Sequence, residues 1–130
     1  DGFRTASNDS YVNVDLKVFL EGAYNTSNSN MDNLLTIPYQ SPYSETASFQ
    51  TNAPTDAVDW VLVQLRDKDT PNTILRSQAG FLLKDGTIVD YNTFGKLKLL
   101  SNSGFGYFHL SVKHRNHLQI MTAQPIYLSN

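Results

Sequence analysis

The chain has 130 residues, 40% of them hydrophobic, with seven Tyr, seven Phe and one Trp; this excludes a disordered chain and fits one domain with a real core. The formal net charge is -2 and the ten basic residues form no long run, so a non-specific nucleic-acid surface is excluded. No apolar stretch approaches the length of a membrane span, and the absence of cysteine removes disulfides, thiolate metal sites and cysteine nucleophiles together.

Residues 1–10 are polar apart from Phe3 and read as an N-terminal arm or linker, leaving 11–130 as a single domain. Opening on Asp1 is what a processed mature protein or an excised domain would show. Val12, Val14, Leu16, Val18 and Leu20 then alternate with Tyr11, Asn13, Asp15, Lys17 and Phe19. Period two places successive side chains on opposite faces of a pleated strand, so a strand is predicted from Tyr11 to Leu20. From Ala23 to Ser48 the pattern fails. Residues 25–33 are Asn, Ser, Thr and Asp broken only by Met31, and Pro38 and Pro42 stand beside Tyr39 and Tyr43. Such residues favour turns and strand-poor extended chain, and a long irregular segment in a compact domain acts as a packed lid or a functional loop.

The β signal resumes at Ala57–Arg66, with Val58, Trp60 and Leu62 on one face and Val61, Val63 and Leu65 on the other. A strand apolar on both faces is central or covered on both sides. Residues 67–72 are a turn by composition, residues 73–83 a strand, and Lys84-Asp85-Gly86 turns the chain back into 87–91. A strand at 97–100 and a last one at 125–128 bracket the stretch from Gly104 to Gln124. In that stretch Phe108, Leu110 and Val112 alternate with Tyr107, His109, Ser111 and Lys113 before the polar cluster His114, Arg115, Asn116 and His117. About seven short strands and no helical period predict an all-β protein, an antiparallel β-sandwich. Val14, Leu16, Val18, Trp60, Leu62, Phe108, Leu110 and Val112 are expected between its two sheets.

Residues 58–67, Arg76 with Ala79 to Leu83, Asp85-Gly86, and above all 107–122 with His-Arg-Asn-His-Leu at 114–118, resemble one family. It is a β-domain found in large secreted and cell-surface proteins of Bacteroidota, in a type IX secretion context. Leu20 to Tyr24, Met31 and the Pro-Tyr pairs resemble its opening. The strand order from Trp60 onward is also similar to transthyretin-like, Cna-B-like and Ig-like sandwiches. The resemblance implies an extracellular or cell-surface location, a multi-domain context and no catalytic activity.

The polar groups have structural and functional readings. His114 continues the inward series, so it is expected to be buried and hydrogen-bonded at the edge of the core. Arg115 would point outward, with Asp59 or Asp67 as its partner. His114 and His117, three apart on a strand, fall on opposite faces, and reach one metal only if the chain turns between them. The cluster therefore reads as a clasp on the loop after the strand, with a ligand site as the alternative. Asp67, Asp69 and Asn72 offer oxygen ligands for calcium, but Asn72 stands where a calcium loop needs Gly, and the turn reading prevails. Tyr39, Tyr43, Tyr91 and Tyr107 are candidates for stacking on sugars. No nucleophile elbow, zinc-protease motif or phosphate loop occurs, and nothing marks a carboxylate pair among the twelve acids. No enzyme activity, cofactor or metal is expected. The expected function is adhesion or assembly through other copies or neighbouring domains, with the arm carrying Phe3 docking on its own sheet or on a second copy to give a filament. The alternative is a carbohydrate-binding module on surface polysaccharide.

Overall fold

The computed structural model describes residues 9–20, 24–25, 30–31, 37–38, 40–44, 53–115 and 117–130. Its strands are β1 (Ser10–Asn13), β2 (Tyr24–Asn25), β3 (Asn30–Met31), β4 (Ala57–Arg66), β5 (Ile74–Leu83), β6 (Ile88–Asp90), β7 (Lys98–Ser101), β8 (Gly106–His114), β9 (His117–Met121) and β10 (Ile126–Leu128). Every pairing is antiparallel. The large sheet runs β10-β8-β4-β5-β6, with β9 on the side of β8 away from β4. β1 and β7 make a second, smaller sheet, and β2–β3 is a two-residue ladder. The protein is an antiparallel β-sandwich, without a helix among the described residues.

β4 is buried along its whole length and organises two apolar clusters. Val61, Val63 and Leu65 meet Leu110 and Val112 of β8 and share a cluster with Val12 and Leu99 of the small sheet and with Val14 and Leu97 just beyond it. Trp60 and Leu62 point the other way, onto Ala79, Phe81 and Tyr43. Trp60 and Leu62 are thus buried, but not between the two sheets as expected. They lie under the proline-tyrosine segment: Trp60 Nε1 donates to Pro38 O at 2.7 Å, and Tyr43 Oη donates to Trp60 O at 3.0 Å. The period of two separates the faces; it does not say which face meets the other sheet. A register shift between Ala57 and Asp59 returns Val58 to the first cluster.

The predicted strand 11–20 is shorter as a ladder. β1 ends at Asn13, yet alternation continues: Val14, Val18 and Leu20 are buried, Leu16 is half-buried, and Asp15, Lys17 and Phe19 are exposed. Isolated bonds hold this extended segment, from Val14 N to Leu97 O and from Val18 N to Gly86 O, both 2.9 Å. Periodicity reported the buried side rather than the pairing. At the second anchor Gly86 has φ +90, which side chains rarely adopt, and a Cβ there would also displace the tip of the exposed Phe19 ring, 2.9 Å away.

Two further departures concern hairpins. The stretch after His114 is not a loop but β9, folded back so that Ser111 faces Met121, Val112 faces Ile120 and His114 faces His117. The register slips by one between the last two pairs, so β9 carries an extra residue, a bulge at Leu118 and Gln119. Within 23–48, where no strand period was visible, Tyr24 pairs with Met31 and Asn25 with Asn30. Two-residue strands are too short to show a period.

Candidate functional sites

The histidine hairpin is built on the end of the first cluster. His114 shares the inward parity of Phe108, Leu110 and Val112, and it is buried. Asp59, fully buried on β4, accepts from His114 Nε2 and from Arg115 Nε, both at 2.7 Å and both on Oδ2. The turn between His114 and His117 brings the two rings together, Nδ1 to Nδ1 at 2.8 Å, instead of on opposite faces. An oxygen that already accepts from Arg115 takes the His114 bond as acceptor too, so Nε2 of His114 carries the hydrogen. The two Nδ1 atoms share one hydrogen between them, with the donor set by the tautomers of the two rings. The ring centroids are 4.9 Å apart, so the rings stand nearly end to end, as an N–H···N bond requires. Asp59 faces the other nitrogen of His114, and among the described residues no group of three His, Cys, Asp or Glu is placed to hold a metal. The chemistry of the cluster is a clasp: one carboxylate ties β4 to the β8–β9 turn. Asn116 lies outside the described residues.

On the outer face of the large sheet a polar layer continues from Leu62. Arg66, buried, donates from Nε to Ser111 Oγ at 2.8 Å and from its terminal nitrogens to Gln64 Oε1 at 2.8 Å and Pro71 O at 3.0 Å. Three bonds offset part of the cost of burying that charge, and the last of them pins the 67–73 turn. In that turn Asp67 Oδ2 accepts from Asp69 N, Thr70 N and Thr70 Oγ1, each at 2.9 Å. Those bonds, the backbone one from Thr70 first, hold the Asp67 carboxyl below its usual value. Asp69 pairs with Lys68 at 2.8 Å, and the ammonium is itself raised by that bond. With Asp67 Oδ2 occupied by the turn and a lysine on Asp69, the Asp67, Asp69 and Asn72 set is a turn and not a cation cage. The turn expected from Asn72 standing in place of Gly is the one observed, and the donors on Asp67 Oδ2 are its physical cause.

The tyrosines separate. Tyr43 is a core residue, its hydroxyl spent on Trp60, so it is withdrawn as a sugar-stacking candidate. Tyr91 is half-buried, its ring 6.0 Å from that of Trp60. Tyr107 is 58% exposed and stands beside Tyr127, also 58% exposed, its cross-strand neighbour on β10. Their centroids are 5.3 Å apart at an interplanar angle of 70°, an edge-to-face pair and not a flat platform for a sugar ring. Tyr39 and residues 1–8, Phe3 among them, lie outside the described residues, and Ser10, assigned to the arm, is instead the first residue of β1, opposite Ser101.

The margin of the sheet beyond β8 is where apolar surface is left open. Leu118 is 91% exposed, Ile120 52% and Met121 41%, and the Tyr107–Tyr127 pair lies along the same margin. The five residues of β9 include no Asp, Glu, Lys or Arg. Bulging the strand turns Leu118 outward. Elsewhere Val89 of β6 bridges to Lys96 and Asn13 N donates to Ser129 O just past β10, while the first half of β5, which β6 does not reach, also exposes Ile74 and Leu75. Sequence reading stopped at the polar cluster of His114, Arg115, Asn116 and His117 and missed this edge, because Leu118, Ile120 and Met121 do not alternate with charged residues.

Compared with family models, curated proteins and solved structures, the chain matches none.

Proposed function

We propose that this chain is a non-catalytic adhesion or assembly module of an exported, multi-domain bacterial protein, acting through the β9 margin of its large sheet. The exposure of Leu118, Ile120 and Met121 on an uncharged edge strand supports this reading most. Sheet edges that are meant to stay alone carry charges or are covered, and a run of exposed apolar side chains marks an interaction site. The partner is a second copy or a neighbouring domain of the same protein. The bulge prevents a long flat strand addition, so Leu118 enters the partner as a side-chain knob. The natural occupant is the N-terminal arm of the next copy, with Phe3 supplying the apolar contact. Arm onto edge is a head-to-tail contact, which does not close on itself and gives filaments.

Light scattering tests this on three forms: the intact chain, Leu118→Ser with Ile120→Ser, and a chain lacking residues 1–10. The intact chain grows in mass with concentration; both altered forms stay monomeric. A monomer in all three at every concentration overturns the assembly reading, and loss of growth in the edge variant alone replaces the arm by a different occupant.

A further inference from the structure

On the side of the molecule where β7 crosses β5, a cleft of about 670 Å³ opens between the outer face of the small sheet and the turn after β6. Its lining includes Tyr11, Gln78, Asp90, Tyr91, Asn92 and Lys98. The turn is preformed: Asp90 Oδ2 accepts from Asn92 N at 3.0 Å, Thr93 N at 2.8 Å and Thr93 Oγ1 at 3.1 Å, while Asp90 N donates to Gly95 O at 2.8 Å. Tyr11 and Lys98 sit on adjacent paired strands and share the outer face of the small sheet, since Tyr11 opposes Leu100 and Asn13 opposes Lys98. Volume in this range suits a ligand of two or three sugar rings.

The chemistry of the lining narrows the ligand. Among the described residues Asp90 Oδ1, Gln78 Oε1, the Asn92 side-chain amide and Lys98 Nζ make no hydrogen bond or ion pair. That set mixes donors with acceptors on one small surface, and the exposed Tyr11 stands beside it. An anion would meet the Asp90 carboxylate, and a cation would meet Lys98 and Lys96, the latter already paired with Asp15 at 2.9 Å. A purely apolar ligand would strand four polar groups. Hydroxyls that both donate and accept satisfy all of them, and the C–H face of a sugar ring suits the exposed Tyr11.

We propose that this cleft binds a short neutral saccharide. The site is separate from the β9 margin, so it stands or falls independently of self-assembly. The residues place the sugar with its polar rim toward Asp90, Asn92 and Lys98 and one ring face over Tyr11, which is 55% exposed and ready to cover it.

The test is a titration of the ¹⁵N-labelled chain with cellotetraose, laminaritetraose, mannotetraose and xylotetraose, and with tetragalacturonate as an acidic probe, followed by amide shifts. At least one neutral probe moves the amides of Gln78, Asn92 and Lys98 at millimolar concentration. Asn92→Ala and Tyr11→Ala each weaken that binding by about three- to tenfold, as expected for one lost hydrogen bond or stacking contact. Leu118→Ser leaves it unchanged. Asn92→Ala keeps the backbone bond to Asp90, and the amide spectrum of each variant reports its fold directly. The proposal is overturned by no shift with any neutral probe, by shifts with tetragalacturonate alone, by shifts centred on Tyr107 and Tyr127, or by unaltered affinity in both cleft variants.

Discussion

Replacing Asp59 by Asn keeps the shape of the side chain and removes its charge. In the native protein one oxygen of Asp59 accepts from both His114 and Arg115 at 2.7 Å, while Oδ1 is buried without a partner. Hydrogen bonds to a charged group contribute about 1.5–3 kcal/mol each, and neutral ones about 0.5–1.5. The amide oxygen can still accept both bonds and Arg115 remains a cationic donor, so the loss is the carboxylate's share of the charge assistance, roughly 1–3 kcal/mol in all. The amide nitrogen takes the place of the unpartnered Oδ1, so no new bond offsets that loss. Urea unfolding followed by Trp60 fluorescence reads this as a lower midpoint at unchanged slope. In a double-mutant cycle, Arg115→Ala costs less in the Asn background than in the native one. A loss below about half a kcal/mol, within the range of an ordinary surface change, would refute the clasp.

Other consequences follow from the same geometry. Trp60→Ala removes the ring that packs 4.3 Å from Phe81 and donates to Pro38, and it should cost about 3–5 kcal/mol in urea unfolding; a cost under about 1 kcal/mol would show that the second cluster carries little weight. Gly86→Ala combines an unfavourable positive φ with a 2.9 Å approach to Phe19, so a loss above about 1 kcal/mol is expected, with faster amide exchange at Val18. The Asp85 carboxyl is lowered, first by its bond from Thr87 Oγ1 at 2.7 Å and then by that from Thr87 N, and Asp67 is lowered by its own turn. A carboxyl whose folded value lies below its unfolded one contributes stability above the unfolded value and loses it as pH falls through the folded one. Stability should therefore decline below about pH 4, less steeply in Thr87→Val, and a rise on acidification would contradict the assignment.

Legibility in the sequence followed the length of the pattern. β4 and β8 span nine or more residues, so their alternation fixed both strands and, through parity, the burial of His114. The pairing of Arg115 with Asp59 was also within reach, as one of two aspartates named. What sequence could not carry was contact between distant chain: which face of β4 meets the second sheet depends on Pro38 and Tyr43 arriving over Trp60. Tyr43 looked like a surface ring for the same reason. The two histidines were separated by strand parity, and a turn at Arg115 reversed that parity within one residue pair. β9 was hidden because its bulge breaks the period of two that reveals a strand. The cleft at Asp90 left only the trace of an Asp opening a polar turn, a pattern shared with the 67–72 loop.

The central claim is that the β9 margin is covered by a partner, and amide hydrogen exchange at two protein concentrations tests it most directly. In a dilute sample the amides of Leu118, Gln119, Ile120 and Met121 that point away from β8 should exchange fast. In a concentrated sample they should become protected, while those of β5 stay as they were. Equal exchange along β9 at both concentrations, or protection appearing elsewhere on the sheet, would contradict the account.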